Sequence, residues 1–477
     1  MTTASSARVR MYRIGELGDC FLLTFTAADA QSNMLIDCGS FRNGARSVGR
    51  LKEIAAHIAK ELNGKPLDVV VGTHQHNDHV NGFVHCESAF RKMGVGEVWL
   101  PWLDDPRDKA ATGICKTHAN LKRALYGASE RLRRLSLGAK GARAQEVLGD
   151  ILGFYGAAEG NGGAKSAPEL PANAIAILRK LGRKKPQYLR PGRVLDVPGV
   201  PAGTVRAYVL GPPKDTDLLY RKDPRSDEAY DPALTATALT AGRFLAALGN
   251  PPGELSPDED EYPFSEHFRQ RDGRRGSRAL RQLQDSYEAA DAQWRRIDDD
   301  WTEQASSLAI FLDAFTNNSS LVLAIELVES GKVLLFAADA QTGNWLSWNE
   351  VKWERPGVTT DDLLARTVLY KVGHHASHNA TLVAALEKMS NPDLTALIPV
   401  DKKDPNIAKQ NGWRMPARLL FRRLAEKTSH RVLQMDGVNP ASCDPEESAV
   451  KASWKKIGVQ PKVTDLYVEV EIRADQR

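Results

Sequence analysis

The sequence predicts an α/β fold, because short apolar strands and an amphipathic helix follow one another near the N-terminus. Residues 8–37 have the pattern of a meander of three strands, with glycines marking a turn at 15–19. Residues 46–63 place apolar side chains at helical spacing. The β-branched run within 68–72 predicts a short buried strand that ends abruptly in polar residues. We therefore expect a helix that leads into a buried strand, with a functional loop at the end of that strand.

The loop after this strand carries four candidate metal ligands within residues 74–79. His74 and His76 lie two residues apart, so in an extended segment they leave the same face and can share one ion. Asp78 and His79 follow where the chain must turn into a helix, and they can bind a second ion beside the first. Imidazole and carboxylate ligands suit zinc, manganese or iron better than magnesium or calcium. A single histidine would more often be a surface or core side chain, but this combination predicts a metal site.

The four residues match the pattern His-x-His-x-Asp-His, and on this motif the segment resembles the metallo-β-lactamase family. The resemblance implies a four-layer αββα sandwich with a one- or two-metal site at the rim between the sheets. We expect two divalent ions, zinc or manganese, as cofactors.

Later strand ends supply candidates for the rest of the site. Asp339 follows the apolar strand 332–336, and a carboxylate there can bridge two ions roughly 3.5 to 4 Å apart. His374 and His375 follow another apolar strand, as the first histidines do. Asp37 also ends a strand, and it is a candidate to orient a ligand histidine; the alternative is a turn-forming residue.

Several segments narrow the resemblance to the metallo-β-lactamase domain of ComEC-type DNA-uptake proteins. The matching segments are Gly18-Asp19, 317–323, 334–339 and 371–377. Ala338 and Ala376 stand where that group has glycine, and neither departure removes a ligand. The resemblance implies that His375 is the metal ligand of the pair, with His374 facing the substrate. The membrane channel of ComEC proteins is absent, so transport is not implied.

The first metal site lacks its third histidine. Many metallo-β-lactamase enzymes place that ligand after the strand predicted here over 204–210, where this chain has Gly211. His74 and His76 would then hold the ion with Asp339 and water, and would bind it weakly. His118 is an alternative ligand, although we expect it to be a solvent-facing helix residue.

The segments outside the resemblance predict two insertions. The expected organisation is a first half of the core at 1–101, a basic helical insertion at 102–195, core strands at 196–213, a charged helical insertion at 214–316 and a second half of the core at 317–477. Residues 119–195 contain fifteen Lys or Arg against five Asp or Glu. Such charges usually form a solvated helical face, and the alternative is a positive wall that attracts a polyanion. Residues 277–315 predict one long helix that would cap the site or pair with another chain.

Composition bounds the class of protein. The 477 residues are 42% hydrophobic and 26% charged with a net charge of +4, which is ordinary for a globular protein and only mildly basic. Five scattered cysteines without a Cys-x-x-Cys pattern predict reduced thiols in a cytoplasm. No signal peptide and no membrane span are expected, since no window approaches about 18 apolar residues.

The favoured function is phosphodiester hydrolysis by a nuclease or phosphodiesterase, in which a hydroxide activated by two metal ions attacks phosphorus. Asp78 would act in catalysis, and His374 would stabilise the phosphoryl oxygens or protonate the leaving oxygen. Lys371, Ser377 and His378 are the candidate substrate-binding residues. DNA or RNA is the expected partner, without sequence specificity, since no base-reading fold is visible.

Two other hypotheses stay open. One is hydrolysis of a small ester, lactone or phosphocholine-type substrate, because one fold can support many reactions. The other is an effector subunit that is regulated by a protein partner, or that forms a homodimer, through the helical insertions.

Overall fold

The computed structural model describes residues 5–132, 139–156, 170–221, 278–289, 300–408, 412–438 and 447–475. The chain divides into two compact units. The first unit comprises Met1–His118, Ile151–Ala236 and Phe311–Arg477, and the second comprises Ala119–Asp150 and Thr237–Ile310. Most of the predicted second insertion lies outside the described residues.

Two eight-stranded sheets form the first unit. In chain order the strands are β1 Ser6–Tyr12, β2 Cys20–Ala27, β3 Ala30–Cys38, β4 Leu67–Val71, β5 Val95–Pro101, β6 Gln187–Leu189, β7 Val194–Asp196, β8 Val205–Gly211, β9 Val322–Leu327, β10 Lys332–Phe336, β11 Thr367–Lys371, β12 Thr395–Ile398, β13 Val432–Gln434, β14 Gly437–Val438, β15 Lys462–Val463 and β16 Tyr467–Arg473. The first sheet has the order β15-β16-β1-β2-β3-β4-β5-β6, and the second has the order β14-β13-β12-β11-β10-β9-β8-β7.

Helices connect these strands. The α-helices of the described residues are α1 Ala45–Leu62, α2 Asn77–His85, α3 Glu87–Met93, α4 Lys109–Leu132, α5 Ala139–Gly153, α6 Leu170–Leu181, α7 Thr216–Tyr220, α8 Arg278–Glu288, α9 Asp300–Asn318, α10 Thr342–Ser347, α11 Thr360–Ala365, α12 Val383–Lys388, α13 Pro405–Ala408, α14 Arg418–Lys427 and α15 Glu447–Lys456. Within the described part of the chain, no helix is long and apolar enough to cross a membrane. The predicted α/β class is confirmed, and the two sheets are consistent with a sandwich.

The main hydrophobic core contains side chains from both sheets. Phe21 of β2 and Phe336 of β10 meet edge to face, with their ring centroids 5.7 Å apart. Helix α1 adds the apolar stripe that its sequence predicts, and it buries Leu51, Ile54 and Ile58. Each such fully buried side chain contributes roughly 1.5 to 3 kcal/mol through the loss of apolar surface from water.

The parallel parts of the two sheets place functional residues at strand ends. Strands β3 to β6 are parallel to one another in the first sheet, and strands β10 to β13 are parallel to one another in the second. Asp37 lies at the end of β3, and residues 73–79 follow β4. Asp339 follows β10, and His375 follows β11. The carboxyl ends of parallel strands are where open α/β sheets bind ligands, so this topology brings the candidate residues to one region.

Two expectations about elements need correction. The helix predicted over 277–315 is not continuous, because α8 ends at Glu288 and Ala289 is not helical. Leu283 in α8 is 67% exposed, so this apolar side chain is not packed. The segment expected to be helical up to residue 195 also contributes β6, which pairs with β5.

Two glycines allow the first turn of α2, which carries candidate metal ligands, to lie directly against β3. A Cβ atom at Gly39 would collide with the backbone of Asp78 and His79, where α2 begins. A Cβ at Gly82 would lie 2.5 Å from the carbonyl oxygen of Cys38. The backbone of α2 therefore depends on these two positions having no side chain.

We predict that Gly39→Ala lowers the free energy of unfolding by about 1 to 3 kcal/mol, because the added methyl group must push α2 away from β3. Urea unfolding followed by circular dichroism measures this change. Gly49→Ala is the matched control, since a Cβ at that exposed position in α1 meets nothing within 4 Å. It should raise stability by about 0.5 to 1 kcal/mol. A Gly39→Ala protein as stable as wild type would contradict the close packing.

Candidate metal centre

Four of the predicted ligands converge in one buried cluster, formed by Asp78, His79, Asp339 and His375. One ligand atom from each residue lies within 4.8 Å of all the others. His79 Nε2 is 3.1 Å from Asp339 Oδ2. His375 Nε2 is 3.0 Å from Asp78 Oδ2 and 3.4 Å from Asp339 Oδ2. Two carboxylates and two imidazoles at these distances could hold a divalent ion.

Outer hydrogen bonds aim both imidazoles at this cluster. The Nδ1 atom of His79 is 2.7 Å from Asp37 Oδ2, and Nδ1 of His375 is 3.0 Å from the carbonyl oxygen of Pro399. When Nδ1 carries the proton and donates it, Nε2 keeps its lone pair for a metal ion. Asp37 is itself held by Thr73, whose backbone N–H and hydroxyl donate to its two oxygens at 2.8 and 2.6 Å. Asp37 thus lies where an orienting carboxylate was predicted.

His74 and His76 form a second convergent group. His74 Nε2 is 3.2 Å from His76 Nδ1. Two nitrogens that bind one tetrahedral zinc ion at about 2.0 to 2.1 Å lie about 3.3 Å from each other. The other nitrogen of His74 faces the hydroxyls of Thr73 at 3.1 Å and Ser320 at 3.3 Å. The contribution of Ser320 was not predicted, although it lies in the 317–323 segment that carries the family resemblance.

The buried polar atoms of the cluster fit a bound cation. Asp78 Oδ1 is buried and has no hydrogen-bond partner among the described residues, and His79 Nε2 makes no aligned hydrogen bond to Asp339 Oδ2 at 3.1 Å. Buried polar atoms are nearly always paired, so both atoms call for a further partner. A divalent cation at the cluster would satisfy them.

The electrostatics of the two groups also fit metal binding. Burial lowers the pKa of His74 well below its usual range and that of His76 to about 3, so both rings are neutral at physiological pH. Burial also opposes charge on His79 and His375, but Asp339 and the other carboxylates around them outweigh it and raise the pKa of both rings. A bound cation would replace the protons that these two rings hold between the carboxylates.

The N-terminal part of the chain carries a family match. Residues 14–97 match the metallo-beta-lactamase superfamily. The matched segment contains Asp37 and the complete 74–79 motif. A comparison with curated proteins gives no match. The superfamily match and the buried cluster of His and Asp side chains together indicate a metal-dependent hydrolase.

The position of the absent third histidine cannot accept a side chain. A Cβ atom at Gly211 would collide with the side-chain amide of Asn344. That amide is fixed, because its nitrogen donates to the carbonyl oxygens of Asn318 and Ser320, each at 2.9 Å. Glycine at the end of β8 is thus a packing requirement of this chain.

His118 does not face solvent, so that expectation was wrong. Its side chain is buried and stacks on Phe315 with ring centroids 3.5 Å apart. Its Nε2 atom is 2.9 Å from the hydroxyl of Tyr220. The amphipathic pattern of α4 did not reveal this aromatic packing, because Phe315 and Tyr220 are distant in sequence.

Lys371 is buried beside the cluster. Its Nζ is 2.5 Å from Asp19 Oδ2, 3.4 Å from Asp339 Oδ1 and 2.8 Å from the carbonyl oxygen of Ala338. Burial disfavours the ammonium, but Asp19 and Asp339 outweigh it and raise the pKa of Lys371. These contacts connect Lys371 to the residues that follow β10. Its role in binding substrate stays a prediction.

The His374 side chain lies in a neutral polar environment. Burial lowers its pKa to about 4. Its Nδ1 is 2.6 Å from Ser377 Oγ, and its Nε2 is 3.3 Å from the amide nitrogen of Asn317. Ser377 and the partly buried His378 follow it, and both stay predicted substrate-binding residues.

The two departures from the ComEC-type pattern both fall on left-handed backbone. Ala338 has φ +47° and Ala376 has φ +57°. Glycine adopts this conformation without steric cost, whereas alanine does not. The structure therefore explains why glycine suits both positions, and it shows that alanine is accommodated here.

We predict that Asp37→Asn weakens metal binding about 10- to 100-fold. The asparagine amide is neutral, so it is a weaker hydrogen-bond acceptor for His79 Nδ1 than the aspartate carboxylate and orients the ring less firmly. Competition with a chromogenic chelator measures the affinity. Asp362→Asn is the control, since this carboxylate is half exposed and pairs with Arg366. Equal affinities in the Asp37→Asn and wild-type proteins would contradict an orienting role.

We predict that Lys371→Met lowers the free energy of unfolding of the metal-free protein by about 3 to 5 kcal/mol, because it leaves buried carboxylates without their cation. Chemical denaturation in the presence of a chelator measures this. Lys388→Met removes a lysine whose ion pair with Asp361 is solvent-exposed, and it should change stability by less than about 1 kcal/mol. Similar effects of the two substitutions would contradict the buried ion pair.

Proposed function

We propose that this protein is a phosphodiesterase or nuclease that uses two divalent ions, zinc or manganese. The observation that carries the proposal is the adjacency of two ligand groups. The ring centroids of His74, from the first group, and His79, from the second, are 4.1 Å apart. Two adjacent metal sites are a common device of enzymes that cleave phosphate esters.

In this proposal each group holds one ion. His74 and His76 would bind the first, whereas Asp78, His79 and His375 would bind the second. Asp339 would bridge the two, with Lys371 holding its Oδ1 atom at 3.4 Å. The ions would supply Lewis acidity and lower the pKa of a water molecule toward about 7.

Residues around the ligands would orient the substrate and move protons. Asp78 Oδ1 would accept a proton from the nucleophilic water, since it has no hydrogen-bond partner among the described residues. His374 would act at the leaving oxygen or at the phosphoryl oxygens. Its Nδ1 is 2.6 Å from Ser377 Oγ, so Nε2 is the ring nitrogen that would act on the substrate. The amide nitrogen of Asn317 lies beside this atom, at 3.3 Å.

The Lys and Arg residues of 119–195 give only limited support to a nucleic-acid substrate. Three of its cations are engaged by carboxylates: Lys184 by Glu97 at 2.8 Å, Arg190 by Asp108 at 2.7 Å, and Arg193 by Glu354 at 3.1 Å. These ion pairs reduce the positive charge that is free to bind a polyanion. They favour, as the second candidate, hydrolysis of a small ester, lactone or phosphocholine-type substrate.

The remaining parts of the proposal concern architecture and partners. We infer an αββα sandwich of the ComEC type, with helical insertions, in a cytoplasmic protein. DNA or RNA is the proposed polymeric substrate. We further infer that the insertions contact a protein partner or a second copy of the chain, and the 67% exposed Leu283 of α8 supports this inference.

The test is cleavage of labelled single- and double-stranded DNA and RNA by the purified protein, with Mn²⁺ or Zn²⁺ restored after chelation. We expect metal-dependent cleavage that is lost in Asp339→Ala and His76→Ala, because each change removes a proposed ligand. Circular dichroism should show that both variants keep the fold.

Controls separate the alternatives. Asp361→Asn, a change of an exposed carboxylate, should leave activity unchanged. Cleavage of a chromogenic lactone or phosphocholine ester without nucleic-acid cleavage would favour the second candidate. Full nuclease activity in Asp339→Ala would contradict the two-metal proposal.

A further inference from the structure

Helix α9 brings a carboxylate to the first ligand group. Asp313 Oδ1 lies 3.7 Å from His76 Nε2, with the histidine side chain 1% exposed and the aspartate side chain 15% exposed. Asp313 is not one of the ligands that the family motif supplies. It lies in the segment that the sequence assigns to an insertion, and it reaches the site only through the packing of α9.

The ring of His76 presents its two nitrogens to two different partners. Nδ1 faces His74 Nε2 at 3.2 Å, which is the separation expected for two ligands of one ion. An imidazole bound to metal through Nδ1 carries its proton on Nε2, and that N–H then needs an acceptor. Asp313 is the carboxylate on that side of the ring, and its Oδ1 would have to approach from 3.7 Å to within about 3.2 Å to accept this N–H.

Aromatic packing restricts the orientation of this ring. His76 lies 5.2 Å from the Phe154 ring and 5.0 Å from the Tyr155 ring, measured between centroids. The hydroxyl of Tyr155 is in turn 2.7 Å from Thr316 Oγ1 and donates to the carbonyl oxygen of Leu312 at 3.3 Å. These contacts connect the ring of His76 to α9 on both sides of Asp313.

Asp313 is itself fixed by a neighbour one helical turn away. The amide nitrogen of Asn317 donates to Asp313 Oδ2 at 3.1 Å, and it is also 3.3 Å from His374 Nε2. The other oxygen of the carboxylate, Oδ1, is the atom that lies 3.7 Å from His76 Nε2. Asp313 and Asn317 of α9 therefore lie next to His76, in the loop after β4, and His374, in the loop after β11.

We propose that Asp313 is the positioning residue for His76, accepting its Nε2–H so that Nδ1 binds the first metal ion. The proposal rests on the proposed two-metal function. It also accounts for a first site without a third histidine, since a negatively charged acceptor makes an imidazole a stronger ligand. Asp313 acts through His76 and need not touch the substrate.

The test measures metal binding rather than activity. Purified full-length wild type, Asp313→Ala and Asp313→Asn are stripped with a chelator and titrated with Co²⁺. Visible absorption reports the coordination of each ion, and chelator competition gives each affinity. His76→Ala identifies the signal of the first ion, and Asp78→Ala that of the second. Asp361→Asn is the matched control, because this carboxylate is 62% exposed on α11.

We expect wild type to bind two ions, and Asp313→Ala to bind the first about 10- to 100-fold more weakly with the second unchanged. Asp313→Asn should fall between them, since its amide oxygen can accept a hydrogen bond without the charge. If Asp313→Ala does not fold, weaker binding of the first ion by Asp313→Asn supports the proposal.

Other outcomes overturn it. First-ion affinity equal to wild type in the folded variants would exclude a positioning role and leave the two-metal function standing. Equal weakening of both ions would indicate a general structural role for Asp313. A wild-type protein that binds no ion would overturn both this proposal and the proposed function.

Discussion

The concentration of charge at the ends of parallel strands is the constraint on which the rest of the structure depends. Asp78 and Asp339 are fully buried next to His79 and His375, and isolated charges in such a place would be very costly. Their proximity is tolerated because acids and imidazoles neutralise one another and because Lys371 adds a buried cation. Charge of this density with few protein partners is suited to a bound metal ion.

The backbone meets this constraint through close approach of strand ends. The order of strands puts the ends of β3 and β4 side by side in one sheet and those of β10 and β11 in the other. Gly39 then allows the first turn of α2 to lie against β3, which turns Asp78 and His79 inward. Hydrogen bonds from outside the cluster complete the geometry: Asp37 holds one ring, and the carbonyl oxygen of Pro399 holds another.

Local patterns predicted most of the core strands and the convergence of the ligands, because a buried strand that ends in polar residues carries its own signal. Local sequence patterns could not show which distant side chains a residue contacts once the strands and helices pack together. Lys371 belongs to an apolar strand, yet it bonds to Asp19, which is distant in sequence. His118 was expected to face solvent, but it stacks on Phe315. Residues 277–315 were expected to form one helix, but α8 ends at Glu288.

Asp313 is another residue whose tertiary contact could not be predicted from the sequence, and it lies at the candidate site itself. Its only local signal is Asn317 at i+4 on the same helix. Without the three-dimensional contact with His76, Asp313 is one acidic residue in a helix. The packing of Asn344 against Gly211 removes the space for a histidine at the end of β8, so any further support for the first ion must come from another element. Helix α9 places a carboxylate 3.7 Å from His76, so the proposed first metal site would be formed jointly by the strand-end loops and by this helix.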